Sequence, residues 1–387
     1  MDVNSKTFCP LLYTGIATLM GGGYRPCSKF RESESFRGSF DDYKSSNMYK
    51  KIEQEFLTGT WPKGCLDCEK TEERNGESQR LREIRNYKNK FNQDIDLNHL
   101  QSIKFDLVDL RLSNTCDLGC LSCNPKTSTV IFDEVKEANE HLDHYRIIFN
   151  EVKDKNLTNP YSDEEIDKLF ECVSETSRIN FTGGEPSIVK GVLRFLQRLI
   201  DEGYNETVSL EFNSNFKTHN PKFIDLLSHF PNGLMLPSVD AIGERAEYIR
   251  YHSDWCQIEK NIKLFTEKCP TWKILFVPCV SLLNIFYLDE LADFCNKHGY
   301  DYNFRQILFR PEYFNITIMP DKWKKVALDK LKHLSEEKKI RKHIYSEDPD
   351  LGRLEACQTN LNRSDKVRNN NFKKSLPILN EMFRECL

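Results

Sequence analysis

The sequence predicts an α/β chain of parallel strands joined by crossover helices. From about residue 103, short β-rich runs alternate with amphipathic helical segments. Polar and thiol side chains fall just beyond the ends of successive runs, which is where barrels of this class place their chemistry. No internal repeat interrupts the alternation, and a different, charged and helical character takes over beyond residue 310.

Candidate strands are 105–112, 178–182, 207–213, 234–239, 273–281 and 302–309, each rich in Val, Ile, Leu or Phe. Between them Val189, Val192, Leu193, Leu196 and Ile200 recur at helical spacing, as do Leu288, Leu291, Ala292 and Cys295. The charged stretch from Glu134 to Asn159 reads as a long helix or insertion after the first strand, followed by a helix over 163–174. Pro320-Asp-Lys-Trp323 starts a helix whose stripe is Trp323, Val326, Ala327, Leu328, Leu331 and Leu334. After it come the basic run Lys338 to His343, an acidic turn at Glu347 to Asp350 and a polar segment at 360–372.

At 387 residues the chain can bury one large core and a smaller unit. A net charge of −4 gives no global attraction to nucleic acid or an anionic membrane, and a basic run of this size is ordinarily a solvated helix face. Met1 to Phe8 contains no basic segment followed by an apolar run, so no secretory signal is expected. The longest apolar stretch, Trp272 to Leu283, is too short to cross a bilayer, and no membrane partner is expected. Fourteen cysteines in a chain expected in the reducing cytoplasm read as metal ligands or free thiols rather than as a disulfide framework.

After the first strand the chain reads Leu112-Ser-Asn-Thr-Cys116-Asp-Leu-Gly-Cys120-Leu-Ser-Cys123. Three thiolates on one tight loop can hold three irons of a cubane and leave the fourth iron open to a ligand. Structural zinc and three buried thiols are the alternatives; zinc favours paired Cys-x2-Cys knuckles and here lacks a nearby histidine. After the second strand comes Phe181-Thr-Gly183-Gly184-Glu185-Pro186, glycines that let backbone approach a ligand and a carboxylate that can accept from an ammonium group. The third strand ends at Asn213-Ser214-Asn215, the fourth at Ser238-Val-Asp240-Ala, the fifth at Ser281 to Asn284 and the sixth at Arg305 to Arg310. Each is ordinary turn or cap chemistry when taken alone.

The cysteine triplet with Gly183-Gly184-Glu185-Pro186 resembles the signature of the radical S-adenosylmethionine (SAM) superfamily, and the serial strand ends resemble its partial (β/α)6 barrel over roughly residues 103–310. The resemblance implies that Cys116, Cys120 and Cys123 ligate a SAM-binding 4Fe–4S cluster. It implies too that Glu185 with Gly183 and Gly184 meets the SAM amino group, that Ser214 and Asn215 contact its ribose or carboxylate, and that Asp240 faces SAM or substrate. A flavodoxin- or ferredoxin-like reductant would supply the electron.

Cys9, Cys27, Cys65 and Cys68 form a second group: Phe8-Cys9-Pro10, a glycine-rich turn ending at Pro26-Cys27, and Cys65-Leu-Asp-Cys68. Spacing alone fits structural zinc as well as a cubane. The order resembles the auxiliary-cluster segment of SPASM/twitch radical SAM proteins, followed by Gly76-Glu-Ser78 and Arg80, and Ser238 to Tyr251 also resembles the twitch-type group. In the best-known members this segment follows the barrel; here it precedes it. The implied organisation is an N-terminal auxiliary-cluster module over 1–100, a barrel over 101–310 and a helical extension over 311–387.

Cys279 lies on the fifth expected strand in the parity of Ser281, and a thiol facing the cavity can return a hydrogen atom to a substrate radical. A packed strand cysteine is the alternative. Cys172, Cys269 and Cys295 read as packing thiols, and Cys256, Cys357 and Cys386 have no partner spacing. The substrate class implied is a peptide or protein, with a small alcohol, an amino sugar, or a nucleotide or nucleic acid as other radical SAM substrates. A non-catalytic iron–sulfur or zinc protein is the reading from another class.

Overall fold

The computed structural model describes residues 5–73, 76–137, 143–173, 176–218, 220–304 and 306–387. Arg305, Met1 to Asn4 and part of the expected Glu134–Asn159 insertion lie outside them. The chain divides into two compact units: residues 1–114, 155–212 and 225–233 form one, and 115–154, 213–224 and 234–387 the other.

The first unit is built on parallel pairing. β3 (Leu107–Leu110) lies between β1 (Gly15–Thr18) and β5 (Arg178–Phe181), and β5 pairs onward with β6 (Ser209–Ser214). The short β2 (Tyr24–Arg25) turns back antiparallel on β1. β1 is a strand beyond the six expected; all four of its residues are buried, and none of its polar groups advertises pairing in the sequence. Alternate residues of β5 and β6 point into the core, where the rings of Phe181 and Phe212 stack at 4.6 Å and Phe195 meets Phe181 edge-on.

The crossover helix between those strands, Lys190–Asp201, buries Val192, Phe195, Leu196 and Leu199. Its buried stripe is thus rotated slightly from the expected one, because the large Phe195 claims the centre. Helix Asp163–Phe170 begins with a capping box, Ser162 accepting from Glu165 N while the Glu165 carboxylate accepts from Ser162 N.

In the second unit β9 (Lys273–Phe276) pairs in parallel with both β7 (Gly233–Pro237) and β10 (Asp301–Tyr302). The fifth and sixth strands are much shorter than expected. Pro278 has no N–H to donate, so the ladder lapses after Phe276 and returns only as a bridge between Val280 and Ile307. A separate antiparallel pair joins β4 (Gly119–Cys120) to β8 (Arg250–Tyr251).

The C-terminal part is helical: Asp321–Leu331, Glu337–Ile344, Leu351–Arg368 and Pro377–Cys386. The first buries Trp323, Ala327, Leu328 and Leu331, as its stripe requires. The segment 360–372 is less irregular than its polar composition suggests. It continues the helix to Arg368, stops at Asn369 in the left-handed conformation (φ 49°), and resumes where the Asp365 carboxylate accepts from Phe372 N at 2.7 Å. Among the described residues, no helix is long and apolar enough to cross a membrane.

Candidate functional site

The Cys116–Cys123 loop belongs to the second unit and is pinned at several points. Cys116 exchanges two hydrogen bonds with the Thr129 hydroxyl, Cys116 N to Oγ1 at 3.1 Å and Oγ1 to Cys116 O at 2.9 Å. Ser128 Oγ donates to Leu118 O at 2.7 Å. Cys120 sits in β4 opposite Arg250, Leu121 N donates to Ile249 O at 2.9 Å, and Cys123 N closes a turn on Cys120 O. Cys120 is therefore carried by a short strand and Cys123 by a tight turn, while Cys116 lies in an irregular segment held through Thr129.

Polar groups from three other segments gather on this loop. Asn215 Nδ2 donates to Asp117 Oδ1 at 2.8 Å and lies 4.0 Å from Cys116 Sγ. Lys217 Nζ reaches Asp117 O at 2.7 Å, and the Thr218 hydroxyl reaches the second Asp117 oxygen at 2.6 Å. Arg250 Nη1 lies 3.6 Å from Cys120 Sγ while its Nη2 pairs with Asp240 at 2.8 Å. Asp240 in turn accepts from Cys279 N at 2.8 Å. Asn215 thus meets Cys116 and Asp117, while Cys120, Arg250, Asp240 and the Cys279 backbone form a second chain of contacts on the same loop.

The electrostatics of the loop follow from these contacts. A hydrogen bond with the Cys123 thiol lowers Cys120, against burial, and the Arg250 and Arg368 guanidinium groups act in the same direction. Cys123, on the other side of that bond, is raised. Arg250 stays charged although burial opposes it, because Asp240 and then Cys120 and Cys123 favour the cation. Burial, then Asp240, pushes Cys279 up to about 12.

Gly183, Gly184 and Glu185 lie in the first unit. Gly183 has φ 121°, and a Cβ there would come within 2.8 Å of Ser113 O; Gly184 N donates to the same oxygen at 3.0 Å. Glycine is needed for this close approach of two backbones. Glu185 is buried, and one of its oxygens accepts from Ser187 N at 3.1 Å. Its carboxylate caps the short turn that follows, a structural task that the sequence motif does not reveal. Ser214 plays a similar part in the second unit, where its hydroxyl accepts from Phe216 N at 3.3 Å beside the left-handed Phe216 (φ 55°).

Cys9, Cys27, Cys65 and Cys68, all in the first unit, line one small pocket together with Phe30, Phe56, Trp61 and Arg80. Burial raises the Cys9, Cys27 and Cys65 thiols, Cys27 to about 11. Arg80 is buried, holds Glu72 through Nε and Nη2 at 2.9 and 2.6 Å, donates to Phe8 O at 3.0 Å and faces the Trp61 ring. Gly64 is required beside it, since a Cβ would collide with the Phe30 ring at 2.1 Å. Four soft donors among apolar walls, with the buried Arg80 guanidinium beside them, fit an iron–sulfur cubane in donor chemistry. Among the described residues, no three or more Cys, His, Asp or Glu side chains converge closely enough to hold a single metal ion.

Arg250, Asp117, Lys217 and Arg368 were not singled out from the sequence. Only the position of Arg250 in the Tyr248–Tyr251 stretch offered a signal. Among the remaining cysteines, Cys172, Cys269, Cys295 and Cys357 are buried and Cys256 is exposed.

No family model matches the chain, and no curated protein matches it. Solved structures do. Native anSMEcpe with bound AdoMet and the Cp18Cys peptide aligns at 15% identity over 60% of either chain, with a TM-score of 0.42. Streptococcus suis SuiB bound to the precursor peptide SuiA aligns at 15% identity over 86% of this chain and 64% of that one, with a TM-score of 0.34. The chain spans about 60% of the length of the first of these.

Proposed function

We propose that the protein is a radical SAM enzyme that acts on a peptide or protein. The observation that carries this reading is the network around Cys116, Cys120 and Cys123, three thiols on a pinned loop with Asn215 on Cys116 and Arg250 on Cys120. When bound, a 4Fe–4S cluster and SAM supply the electron and the 5′-deoxyadenosyl radical that abstracts a hydrogen atom.

The chain's own residues hold, orient and shield. Cys116, Cys120 and Cys123 would ligate the SAM-binding cluster. Arg250 offsets thiolate charge at Cys120, and Asp240 holds the Arg250 guanidinium. Glu185 is assigned to the SAM ammonium, with Gly183 and Gly184 giving the backbone its close approach, and Ser214 and Asn215 to the SAM ribose or carboxylate. In this reading Cys279 serves as a hydrogen-atom donor, supported by its backbone bond to Asp240 and by burial that keeps its thiol in the S–H form. Cys9, Cys27, Cys65 and Cys68 would ligate an auxiliary 4Fe–4S cluster that carries an electron or holds the fold. Residues 1–100, 101–310 and 311–387 correspond in this reading to auxiliary module, catalytic barrel and extension, working in the cytoplasm with a flavodoxin- or ferredoxin-like reductant.

The test is anaerobic incubation with SAM and a strong reductant. Slow formation of 5′-deoxyadenosine and methionine is expected, abolished by Cys116→Ala, Cys120→Ala, Cys123→Ala. Protein with a full iron complement that leaves SAM intact would overturn the reading.

A further inference from the structure

The stretch Gly76-Glu-Ser78-Gln-Arg80 follows the N-terminal cysteines in the sequence and folds back onto them. Ser78 caps helix Gln79–Phe91, accepting from Leu81 N at 3.1 Å, and its hydroxyl donates to the Glu72 carboxylate. The cap sets Arg80 in the first turn, where it is buried. Glu72 stands four residues after Cys68 in helix Leu66–Glu73, so the two share a face.

Arg80 joins three segments that each carry a cysteine. Its Nε and Nη2 grip the two Glu72 oxygens at 2.9 and 2.6 Å, one helical turn from Cys68. Its Nη1 donates to the carbonyl of Phe8, the residue before Cys9, at 3.0 Å. Its guanidinium lies 5.5 Å from the centre of the Trp61 ring, on the segment that turns through Pro62 into Cys65, where Cys65 N donates to Pro62 O at 2.8 Å. The Cys27 segment is tied in separately, through Arg31 N donating to Gly64 O at 2.9 Å.

Arg80 lines the pocket beside the four thiols and Glu72 does not, so the pair turns its positive end toward them. Lys29, the other cation at the pocket, is exposed and screened by water. Four thiolates exceed the charge of a cubane core, so a loaded site is an anion among apolar walls, costly to bury without a cation nearby. Reduction makes that anion more negative, and a fixed cation therefore favours the reduced form.

We propose that Arg80 is the positioning residue of the N-terminal site: it holds the Cys9, Cys65 and Cys68 segments together, and with Glu72 behind it sets the charge that an auxiliary cluster senses. The inference rests on the reading of these cysteines as cluster ligands.

The test uses the full chain carrying Cys116→Ala, Cys120→Ala and Cys123→Ala, reconstituted anaerobically so that the N-terminal site alone contributes, with redox titration followed by electron paramagnetic resonance. Arg80→Gln should lower the midpoint potential, Glu72→Gln should raise it, and Arg80→Lys should stay nearest to the parent. Arg80→Gln and Arg80→Lys should both lose iron to a chelator several-fold faster, because neither side chain can bridge Glu72 and Phe8. Opposite signs at Arg80 and Glu72 are the result that a merely structural pair would not give. Unchanged potentials in both, shifts of one sign, or wild-type iron release from Arg80→Lys would each overturn the inference. Should Arg80→Gln hold no iron, Glu72→Gln still reads the charge and Arg80→Lys the positioning. Uptake of zinc in place of iron by the parent would sink the auxiliary-cluster reading alone. Zinc release to a chelator would then read the positioning by itself, faster in Arg80→Lys if it stands and unchanged if it fails.

Discussion

Arg250 Nη1 lies 3.6 Å from Cys120 Sγ. Arg250 is largely buried, and Asp240, its partner through the other terminal nitrogen, is more so. The pairing of β4 with β8 places them in this relation, Cys120 directly opposite Arg250. A fixed positive charge next to a ligand thiolate is a means of setting both the acidity of that thiol and the potential of anything it holds.

Removing this cation should therefore have two separable effects. Arg250→Met leaves Asp240 buried and uncompensated, and should destabilise the protein by about 3–5 kcal/mol, read from denaturant unfolding of the apoprotein. Arg250→Lys retains charge but not the two-point geometry, and should shift the reduction potential of a reconstituted cluster measurably downward with a smaller loss of stability. An unchanged potential in a folded Arg250→Gln variant would show that the guanidinium does not sense the cluster.

The metal content separates the two cysteine groups. Anaerobically purified protein should hold on the order of eight irons. Cys116→Ala, Cys120→Ala, Cys123→Ala should remove about half, and Cys65→Ala, Cys68→Ala the other half. About four irons with one zinc would make the N-terminal site a structural knuckle.

Glu185 accepts a hydrogen bond from Ser187 N, so its substitution must be chosen with care. Glu185→Gln keeps an oxygen to accept from Ser187 N and removes the charge. Calorimetric SAM affinity should fall by about tenfold or more, as expected for loss of a charge-assisted contact, while the cluster absorption stays at wild-type intensity. Lost absorption would show that Glu185 serves the fold instead.

Cys279 should resist alkylation. With its thiol pushed up to about 12 by burial and Asp240, only on the order of 10⁻⁴ is thiolate at pH 8. Iodoacetamide should therefore label the exposed Cys256 first, and the Cys279 rate should rise about tenfold per pH unit toward that value. Peptide mapping by mass spectrometry reads both. In turnover, Cys279→Ala should preserve 5′-deoxyadenosine formation and block product if the net reaction is redox-neutral.

Auxiliary-site loss should spare SAM cleavage. In a soluble Cys65→Ala, Cys68→Ala variant, uncoupled 5′-deoxyadenosine should persist while product falls sharply. Full product formation would remove the N-terminal cysteines from the reaction, and simultaneous loss of SAM cleavage would make the two groups one cooperative structure.

Much of this could be read from residue order. Strand alternation, the helical stripes of 190–201 and 321–331, the thiol triplet and the four N-terminal cysteines depend on local periodicity and donor chemistry, and these are properties of short windows. Other features depend on distant pairing. β1 is a strand because Gly15, Ile16 and Ala17 align with Leu107, Val108 and Asp109, and β9 is cut short because Pro278 interrupts a ladder that only its neighbours define. No local pattern brings Arg250 to Cys120 across 130 residues, or Arg368 to Glu134 across 234. The sequence by itself determined which side chains have the chemistry. Only the tertiary structure decided which of them are buried next to a thiol, because desolvation and partner distance set a charge's influence and neither exists before the chain has packed.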